Sequence, residues 1–356
     1  MVRKRGGFSL RNGVAPMSMQ ETLTRMIMSL PSGVIQAMAG KKVEGDGHVL
    51  DPHIALMAKQ AATRPSLVVL PVNIARQGTQ AAIGLSCGKR RAGVTVRDLK
   101  VPGGGAELEA RLYTPANATG NEPLLVYLHQ GGCVLGGLWM SDTWCSILAD
   151  EARAVVLNVD YRHAPEHKFP APVEDAVAAY EWAAANAKAL GADGRRVGIG
   201  GDSAGGYLSA VVCLARKRAG LPQPHLQLLI YPCTDWTSVG GTMKSMANAY
   251  PLSAPVMDWF AGHYLNSNDE RKDWRVSPAL EADKSGVAQA LVYTAGFDPL
   301  TTQAAAYADM LEKAGVPTTY RNYSSLSHSF TAMAGLVPAA RRALDEIAAD
   351  VKRAFG

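Results

Sequence analysis

The stretch RVGIGGDSAGG at residues 196–206 joins an apolar strand to a helix through a turn that is rich in glycine. Within it, Gly201-x-Ser203-x-Gly205 has the spacing of a sharp strand-to-helix turn that exposes a serine hydroxyl. Such a turn strains the serine backbone, and a Cβ two residues before or after would collide with it. The stretch therefore predicts an α/β fold with Ser203 at a helix N-terminus, where backbone N–H groups favour negative charge.

Two other interpretations of these glycines have to be weighed. A chance glycine turn is one, because the motif is short. A dinucleotide-binding loop is the other, since Gly198-x-Gly200 begins such a fingerprint. However, Ser203 stands where the third glycine of that fingerprint belongs, and no acidic residue lies near position 222 to bind a ribose. Residues elsewhere in the chain favour the first interpretation, in which the turn exposes the Ser203 hydroxyl as a nucleophile.

A serine hydroxyl needs a base, and His328 is the histidine best placed for that role. It follows the last predicted strand, on a loop at the carboxyl edge of the sheet, where α/β proteins gather their sites. We interpret six other histidines as surface or structural residues, because they lie in a helical lobe or beside turns: His48, His53, His163, His167, His225 and His263.

The acid that orients the histidine is expected on the loop after the preceding strand. Asp298 is placed there, whereas Asp309 lies on the following helix and Asp345 lies beyond the histidine. The chain order Ser203, Asp298, His328 is the order that this arrangement requires. We therefore predict these three residues as a catalytic triad.

The loop after the third predicted strand supplies glycines for an oxyanion hole. Gly131 and Gly132 can turn their N–H groups toward the serine, and the N–H of Ala204 is a third donor. An ordinary glycine turn is the alternative for this loop taken alone. Beside the turn at Ser203, the oxyanion hole becomes the favoured interpretation.

The chain divides into three predicted regions. Residues 1–18 are predicted to be a flexible leader, and residues 19–90 an all-helical N-terminal cap region in which Asp51 caps a helix. Residues 91–356 are predicted to form the catalytic domain, with residues 235–275 contributing to the cap. The alternation of strands and helices predicts a mostly parallel sheet. Its strands are expected at Val94–Val101, Ala106–Tyr113, Leu124–His129, Ala154–Asp160, Arg196–Gly200, Leu226–Tyr231, Ala290–Ala295 and Thr318–Tyr323.

Composition and charge limit the function classes. The 356 residues are 47% hydrophobic and 19% charged, and 36 basic against 31 acidic side chains leave a net charge of +5. This small excess gives no reason to expect nucleic acid or a membrane surface as a partner, and no segment has the length of a membrane span. The five scattered cysteines form no metal-binding pattern and predict free thiols in a reducing cytoplasm. We expect no metal and no cofactor.

Taken together, the motifs resemble the hormone-sensitive-lipase-like esterases, the bacterial branch of the family that also contains arylacetamide deacetylases. The matching segments are residues 129–132, 160–171, 201–206, 231–232, 277–278, 298–300 and 328–330. The resemblance implies an α/β-hydrolase fold, with a mostly parallel eight-stranded sheet flanked by helices and a helical cap above a substrate pocket. It also implies a serine carboxylesterase acting on short- to medium-chain esters, and it is compatible with a homodimer through the sheet edge.

Some positions depart from this family pattern. Gln130 stands where the first glycine of a His-Gly-Gly-Gly run is usual, Cys133 replaces an aromatic residue, and Tyr207 replaces a common asparagine. Thr301-Thr302 replaces a common Arg-Asp pair.

Two alternative functions stay open at this point. One is a non-catalytic small-molecule-binding protein, as in the plant gibberellin receptors that lost the histidine; the other is an amidase or arylacetamide deacetylase-like hydrolase.

Overall fold

The computed structural model describes residues 19–356, so the predicted leader at residues 1–18 lies outside the described residues. The strands are β1 (Glu44–Gly45), β2 (His48–Val49), β3 (Thr95–Pro102), β4 (Glu107–Thr114), β5 (Pro123–Leu128), β6 (Val155–Val159), β7 (Asp193–Asp202), β8 (Gln227–Ile230), β9 (Ala290–Phe297) and β10 (Thr318–Ser327). The helices are α1 (Met19–Met28), α2 (Ser32–Ala39), α3 (Pro52–Ala61), α4 (Val72–Ser86), α5 (Asp142–Glu151), α6 (Ala171–Asn186), α7 (Ala204–Arg218), α8 (Thr242–Ser245), α9 (Ala254–Tyr264), α10 (Thr301–Lys313) and α11 (Pro338–Phe355).

One eight-stranded sheet runs through the molecule in the order β10-β9-β8-β7-β5-β6-β4-β3. Strand β4 is antiparallel to both of its neighbours, and the other neighbouring strands pair in parallel. The prediction of a mostly parallel eight-stranded sheet is confirmed. The strand ends differ from the prediction, most of all in β10, which continues to Ser327.

The sheet separates two hydrophobic cores. Along β5, Leu124, Val126 and Leu128 face one core, and Leu125 and Tyr127 face the other, as the two-residue period of a strand requires. Helices α6, α7 and α10 contribute to the first core, and α5 and α11 contribute to the second. Strands β5, β6, β8 and β9 are buried along their whole length, because both faces of the sheet are covered.

The N-terminal region is not entirely helical, so that part of the prediction is wrong. Strands β1 and β2 form a short antiparallel hairpin between α2 and α3. Its turn residues Asp46 and Gly47 have φ angles of 49° and 79°. Positive φ at both positions is the geometry that an Asp-Gly pair supplies in a tight hairpin. The Asp-Gly pair was therefore the sequence signal for this hairpin.

Helices α8 and α9 lie within residues 235–275, the segment predicted to contribute to the cap. Helix α9 begins at Ala254 and ends at Tyr264, and the cap of α3 forms as expected, with Asp51 Oδ1 accepting the His53 N–H at 2.8 Å. The five cysteines are free thiols. No helix within residues 19–356 combines the length and the apolar character that crossing a bilayer would demand.

Candidate active site

Ser203 is the first residue after β7 and immediately precedes helix α7. Its backbone angles are φ 54° and ψ −115°, a strained conformation for a residue with a side chain. The flanking glycines allow this turn because there is no room for a side chain at either. A Cβ on Gly201 would lie 2.4 Å from the Leu128 carbonyl oxygen, and one on Gly205 would lie 1.8 Å from the same atom. The collisions are thus with the neighbouring strand β5 and, for Gly201, also with the Gly205 backbone, rather than with the serine itself.

The three predicted triad residues lie in one hydrogen-bonded chain. The Ser203 hydroxyl oxygen is 2.9 Å from His328 Nε2, and His328 Nδ1 is 2.7 Å from Asp298 Oδ2. Asp298 is the first residue after β9 and His328 the first after β10, so parallel strands deliver all three side chains to one edge of the sheet. The exposed fractions are 8% for Ser203, 4% for His328 and 0% for Asp298.

The acid is held in place and its rivals lie elsewhere. Asp298 Oδ1 accepts the Leu300 N–H at 2.9 Å, which leaves Oδ2 directed to the imidazole. Asp309 pairs with Lys313 on α10, and Asp345 pairs with Arg341 on α11. Neither of these two carboxylates contacts His328 in the structure.

The buried carboxyl of Asp202 braces the residues around the histidine. Asp202 Oδ2 accepts hydrogen bonds from Thr331 Oγ1 at 2.6 Å and from the Tyr231 hydroxyl at 3.0 Å. Burial raises the pKa of Asp202, and these hydrogen bonds oppose that shift. The Tyr231 ring also packs against the His328 imidazole, with 4.6 Å between ring centroids. Asp202 therefore ties the residue before the nucleophile to the loop after the base.

The predicted oxyanion loop contains glycines with positive φ angles. Gly131 and Gly132 have φ angles of 127° and 61°, and both line the same cavity as Ser203. A Cβ on Gly131 would lie 2.0 Å from the Leu135 carbonyl oxygen, and one on Gly132 would lie 2.3 Å from the ring of Phe260. Ala204 is the first residue of α7, where N–H groups have no acceptor within the helix, and it is not one of the cavity-lining residues.

Gln130 and Cys133, two departures from the family pattern, are both buried. Gln130 is 3% exposed; its Oε1 accepts the Ser329 hydroxyl at 2.5 Å, while its Nε2 has no partner among residues 19–356. Cys133 is fully buried, and this burial raises the pKa of its thiol well above the ordinary value. The Cys133 thiol is therefore protonated at neutral pH and does not compete with Ser203 as a nucleophile.

A cavity of about 210 Å³ opens at Ser203 and His328. Its wall is mostly apolar and is formed by side chains from α3, α4, α9 and the segments beside them, with a smaller share from the sheet edge. These lining residues were not predictable from the sequence; the apolar ones include Met57, Leu67, Ala82, Ile83, Leu135, Met140, Leu252, Val256, Phe260, Ala332 and Met333.

Arg76, on helix α4, joins the N-terminal region to the segments that follow strands β5 and β6. Its guanidinium donates to the carbonyl oxygens of Val134 at 2.9 Å and Ala164 at 2.8 Å, and it pairs with both carboxylate oxygens of Glu166. The hydrogen bonds from Arg76 lower the pKa of Glu166 to about 2 against the opposing effect of burial. This contact could not be predicted from the sequence, because residues 76 and 166 are 90 positions apart.

The chain is similar to known ester hydrolases over most of its length. Residues 125–332 match the sequence model of a family described as alpha/beta hydrolase fold. The carboxylic ester hydrolase LipN of Mycobacterium tuberculosis is 42% identical over 300 residues, which cover 82% of this chain and 80% of the relative. The ethyl acetate hydrolase of Pseudomonas putida is 35% identical over 309 residues, covering 83% of this chain and 96% of that protein.

Solved structures give the same result. An ester hydrolase from the metagenome of Lake Arreo, solved with a derivative of bipyridine phosphonate, has a TM-score of 0.84 and 38% identity, and the match covers 86% of this chain and 99% of that one. The hyperthermophilic esterase of Pyrobaculum calidifontis has a TM-score of 0.80 and 34% identity, with 85% and 98% of the two chains covered.

Proposed function

This chain belongs to the alpha/beta hydrolase fold family, and on that premise we propose that it is a carboxylic ester hydrolase that works through an acyl-enzyme on Ser203. The observation that carries the proposal is the hydrogen-bonded chain from Ser203 through His328 to Asp298 at the mouth of an apolar cavity. An activated hydroxyl beside an apolar pocket is what acyl transfer from an apolar ester requires.

In the proposed first half-reaction, Ser203 Oγ attacks the ester carbonyl carbon while His328 Nε2 accepts the hydroxyl proton. Asp298 stabilises the imidazolium that forms. Negative charge develops on the carbonyl oxygen, and the N–H groups of Gly131, Gly132 and Ala204 are the donors that would stabilise it. When the tetrahedral intermediate collapses, the bond to the alkoxide breaks and His328 returns the proton to the departing alcohol.

The second half-reaction repeats these steps with water. His328 Nε2 takes a proton from water as the water oxygen attacks the acyl carbon. Collapse of the second intermediate breaks the bond to Ser203 Oγ, which recovers its proton from His328, and the carboxylic acid leaves. The residues of this chain supply every proton transfer in the sequence.

The cavity supports short to medium acyl chains as substrates. A volume of about 210 Å³ is below the range of roughly 300–1,000 Å³ that is usual for sites of drug-sized ligands. Each buried methylene contributes about 0.8 kcal/mol while apolar wall remains to be covered. We therefore expect kcat/KM to rise with the first methylenes of the acyl chain and to fall once the chain exceeds the cavity.

The test is a series of p-nitrophenyl esters of increasing chain length, with Ser203→Ala as the variant and a serine-reactive phosphonate as the probe. We expect the substitution to reduce turnover by a factor on the order of a million and to abolish labelling by the phosphonate. A folded Ser203→Ala protein that kept more than a trace of turnover would remove Ser203 from the mechanism.

The same assay, extended to a matched ester and anilide pair, separates the proposal from its rivals. Turnover of the ester alone is expected. Faster turnover of the anilide would indicate an amidase, and binding without turnover of either would indicate a non-catalytic binding protein. The hydrogen bond between Ser203 and His328 argues against a non-catalytic binding protein, since the base and the nucleophile are both in position.

A further inference from the structure

A second group of polar side chains lies outside the substrate cavity, below the oxyanion loop. It consists of His129, Asp160 and His163. His129 Nε2 is 3.3 Å from His163 Nε2 and 3.4 Å from Asp160 Oδ1, and His163 Nε2 is 3.6 Å from the same carboxylate oxygen. Their meeting follows from the sheet, because His129 comes directly after β5 and Asp160 directly after its parallel neighbour β6.

The tautomer of His129 follows from the contact of its Nδ1 atom. His129 Nδ1 is 2.7 Å from the carbonyl oxygen of Gln130, an atom that can only accept a hydrogen bond. Nδ1 therefore carries the proton, and Nε2 presents a lone pair to the centre of the group. Metal-binding histidines usually have this arrangement, in which the second N–H donates to a carbonyl or a carboxylate.

The carboxylate points at the same centre without a hydrogen bond of its own. Within the described residues, Asp160 Oδ1 is a buried atom that lacks a hydrogen-bond partner. His129 Nε2 has one hydrogen-bond contact, with His163 Nε2 at 3.3 Å, whereas Asp160 Oδ1 lies beside both imidazoles without one. An unpaired buried acceptor is costly, and a cation bound between the three atoms would satisfy the carboxylate oxygen.

The spacing of the three atoms matches one kind of cation. Zn²⁺ binds imidazole nitrogen and carboxylate oxygen at about 2.0–2.2 Å in a tetrahedron, whose corners are then about 3.3–3.6 Å apart. The observed separations of 3.3, 3.4 and 3.6 Å form one face of such a tetrahedron. Two imidazoles suit Zn²⁺ and disfavour Mg²⁺ and Ca²⁺, which prefer oxygen ligands.

We propose that His129 Nε2, His163 Nε2 and Asp160 Oδ1 form a Zn²⁺ site with a fourth position open to water. The side chains of Asp160 and His163 are 30% and 17% exposed, so solvent reaches the site from one side, while His129 is fully buried and anchors it. The neighbouring guanidinium of Arg76 is paired with Glu166, which limits its repulsion of a cation.

Zinc at this site would hold the first residue of the oxyanion loop. The His129 ring stacks on Tyr161, with centroids 4.5 Å apart, and the Tyr161 hydroxyl donates to the His129 carbonyl at 2.7 Å. A metal on Nε2 fixes the ring further and strengthens the Nδ1–H bond to the Gln130 carbonyl, immediately before Gly131 and Gly132. The site acts on the loop and takes no part in the proton transfers at Ser203.

The experiment uses the full chain without an added histidine tag, freed of metal by chelation, and ZnCl₂ alone as the probe. Isothermal titration should give one Zn²⁺ per chain, and the melting temperature should rise with Zn²⁺ concentration, as it must when a ligand binds only the folded state. Co²⁺ in place of Zn²⁺ should give the visible absorption of a tetrahedral nitrogen and oxygen site.

His163→Gln and Asp160→Asn each remove one ligand, and we expect each to weaken Zn²⁺ binding by at least about tenfold, in line with the losses that changes around metal sites produce. The matched control is His167→Gln, an exposed histidine four residues beyond His163, which should bind as tightly as the unmodified chain. Circular dichroism verifies the fold, and Asp160→Asn provides the comparison if His163→Gln does not fold. A chain that binds no stoichiometric Zn²⁺, or folded ligand variants that bind it with unchanged affinity, would overturn the proposal; the three residues would then form only a hydrogen-bonded network.

Discussion

The smallest scale on which the site can be understood is the backbone of Ser203. Its φ of 54° persists because the strands and α7 determine the path of the chain on both sides. The glycines at 201 and 205 permit this path, since each packs against the Leu128 carbonyl oxygen with no space for a Cβ. The strain raises the hydroxyl above the sheet edge, within reach of His328. A local cost in backbone energy thus places the reactive atom.

Asp298→Asn tests the acid at this scale. The amide oxygen can still accept the Leu300 N–H, which leaves the NH₂ group facing His328 Nδ1. Nδ1 must then be unprotonated, so the proton moves to Nε2, where the imidazole can no longer accept from Ser203. We expect kcat to fall by about 10⁴-fold, as in a serine protease with the equivalent change.

The control for Asp298→Asn is Asp309→Asn, which alters an exposed carboxylate on α10 and should leave kcat unchanged. Melting temperatures of both variants verify the fold. If Asp298→Asn retained full activity, Asp298 would not be the residue that orients His328.

Gln130 is the position at which the oxyanion loop departs from its family, and two substitutions separate its roles. Gln130→Met keeps the volume and removes the amide, whereas Gln130→Gly removes both. If Gly131 and Gly132 supply the donors, both variants should hydrolyse a small ester within about tenfold of the original rate, or roughly 1.4 kcal/mol of barrier. Gln130→Gly should also change the preference between small and bulky alcohol groups, because Gln130 lines the cavity.

The measurement is kcat/KM for acetate esters of several alcohols. The free Nε2 of Gln130 makes this a real test, since it could donate to substrate. A loss of a hundredfold or more in both variants on the small ester would show that the amide is itself an oxyanion donor. Substitution of Gly131 or Gly132 is less informative, because a Cβ at either position collides with its surroundings.

At the scale of elements, the strands were predictable and the walls of the cavity were not. The buried parallel strands are continuous apolar runs, so their places could be predicted, although the end of β10 could not. The triad residues follow strands directly, and parallel strands share an edge, so their meeting was also predictable. Many of the lining residues come from α3, α4 and α9, which are far apart in sequence, and the others come from loops at the sheet edge and beside these helices. Only the packing of these helices decides which side chains face Ser203.

The Tyr207–Tyr264 contact shows how one element holds another. The Tyr207 hydroxyl on α7 donates to the Arg275 carbonyl at 2.8 Å, so its single proton is used there. The Tyr264 hydroxyl on α9, 2.7 Å away, must then be the donor to Tyr207. The helix after the nucleophile is thereby bonded to the helix that carries Phe260 to the cavity wall. From the sequence alone, Tyr207 is visible only as a departure from the family pattern.

This direction of donation predicts an order of effects. Tyr207→Phe deprives both the Arg275 carbonyl and the Tyr264 hydroxyl of their partner, and it should lower the free energy of unfolding by about 1–3 kcal/mol. Tyr264→Phe removes only a donor to Tyr207 and should cost about 1 kcal/mol. Urea denaturation measures both, with Tyr307→Phe as a control, because the Tyr307 hydroxyl has no hydrogen-bond partner among residues 19–356. Equal costs, or a larger cost for Tyr264→Phe, would contradict this assignment of donors.

On the scale of the whole molecule, Arg76 connects α4, which lines the cavity, to segments of the sheet edge. Arg76→Met would break these contacts and let α4 move. We expect KM to rise more for longer acyl chains than for acetate, with kcat on acetate nearly unchanged, because α4 supplies part of the cavity wall and none of the triad residues. Arg97→Met, on the exposed strand β3, should change neither constant. A uniform loss of kcat for all esters would place Arg76 in the catalytic machinery instead.

The partner of Arg76 makes the stability of the whole fold dependent on pH. Arg76 lowers the pKa of Glu166 from 4.5 to about 2, so the folded state holds the charged form more strongly than the unfolded chain does. The unfolded chain therefore binds the proton first as pH falls, and the stabilisation present above about pH 4.5 is lost as the pH approaches 2. Because the Glu166 side chain is 55% exposed, solvent screening keeps its contribution near the ~0–1 kcal/mol of surface ion pairs.

Urea denaturation at about pH 7 and about pH 3 should show Glu166→Gln less stable than the original chain at the higher pH, with a smaller difference at the lower pH. Glu312→Gln, at an exposed position on α10, should show no such change. A difference for Glu166→Gln that stayed constant between the two pH values would mean that Arg76 gains nothing from the charge of Glu166, and that its two carbonyl contacts alone hold α4 against the sheet edge.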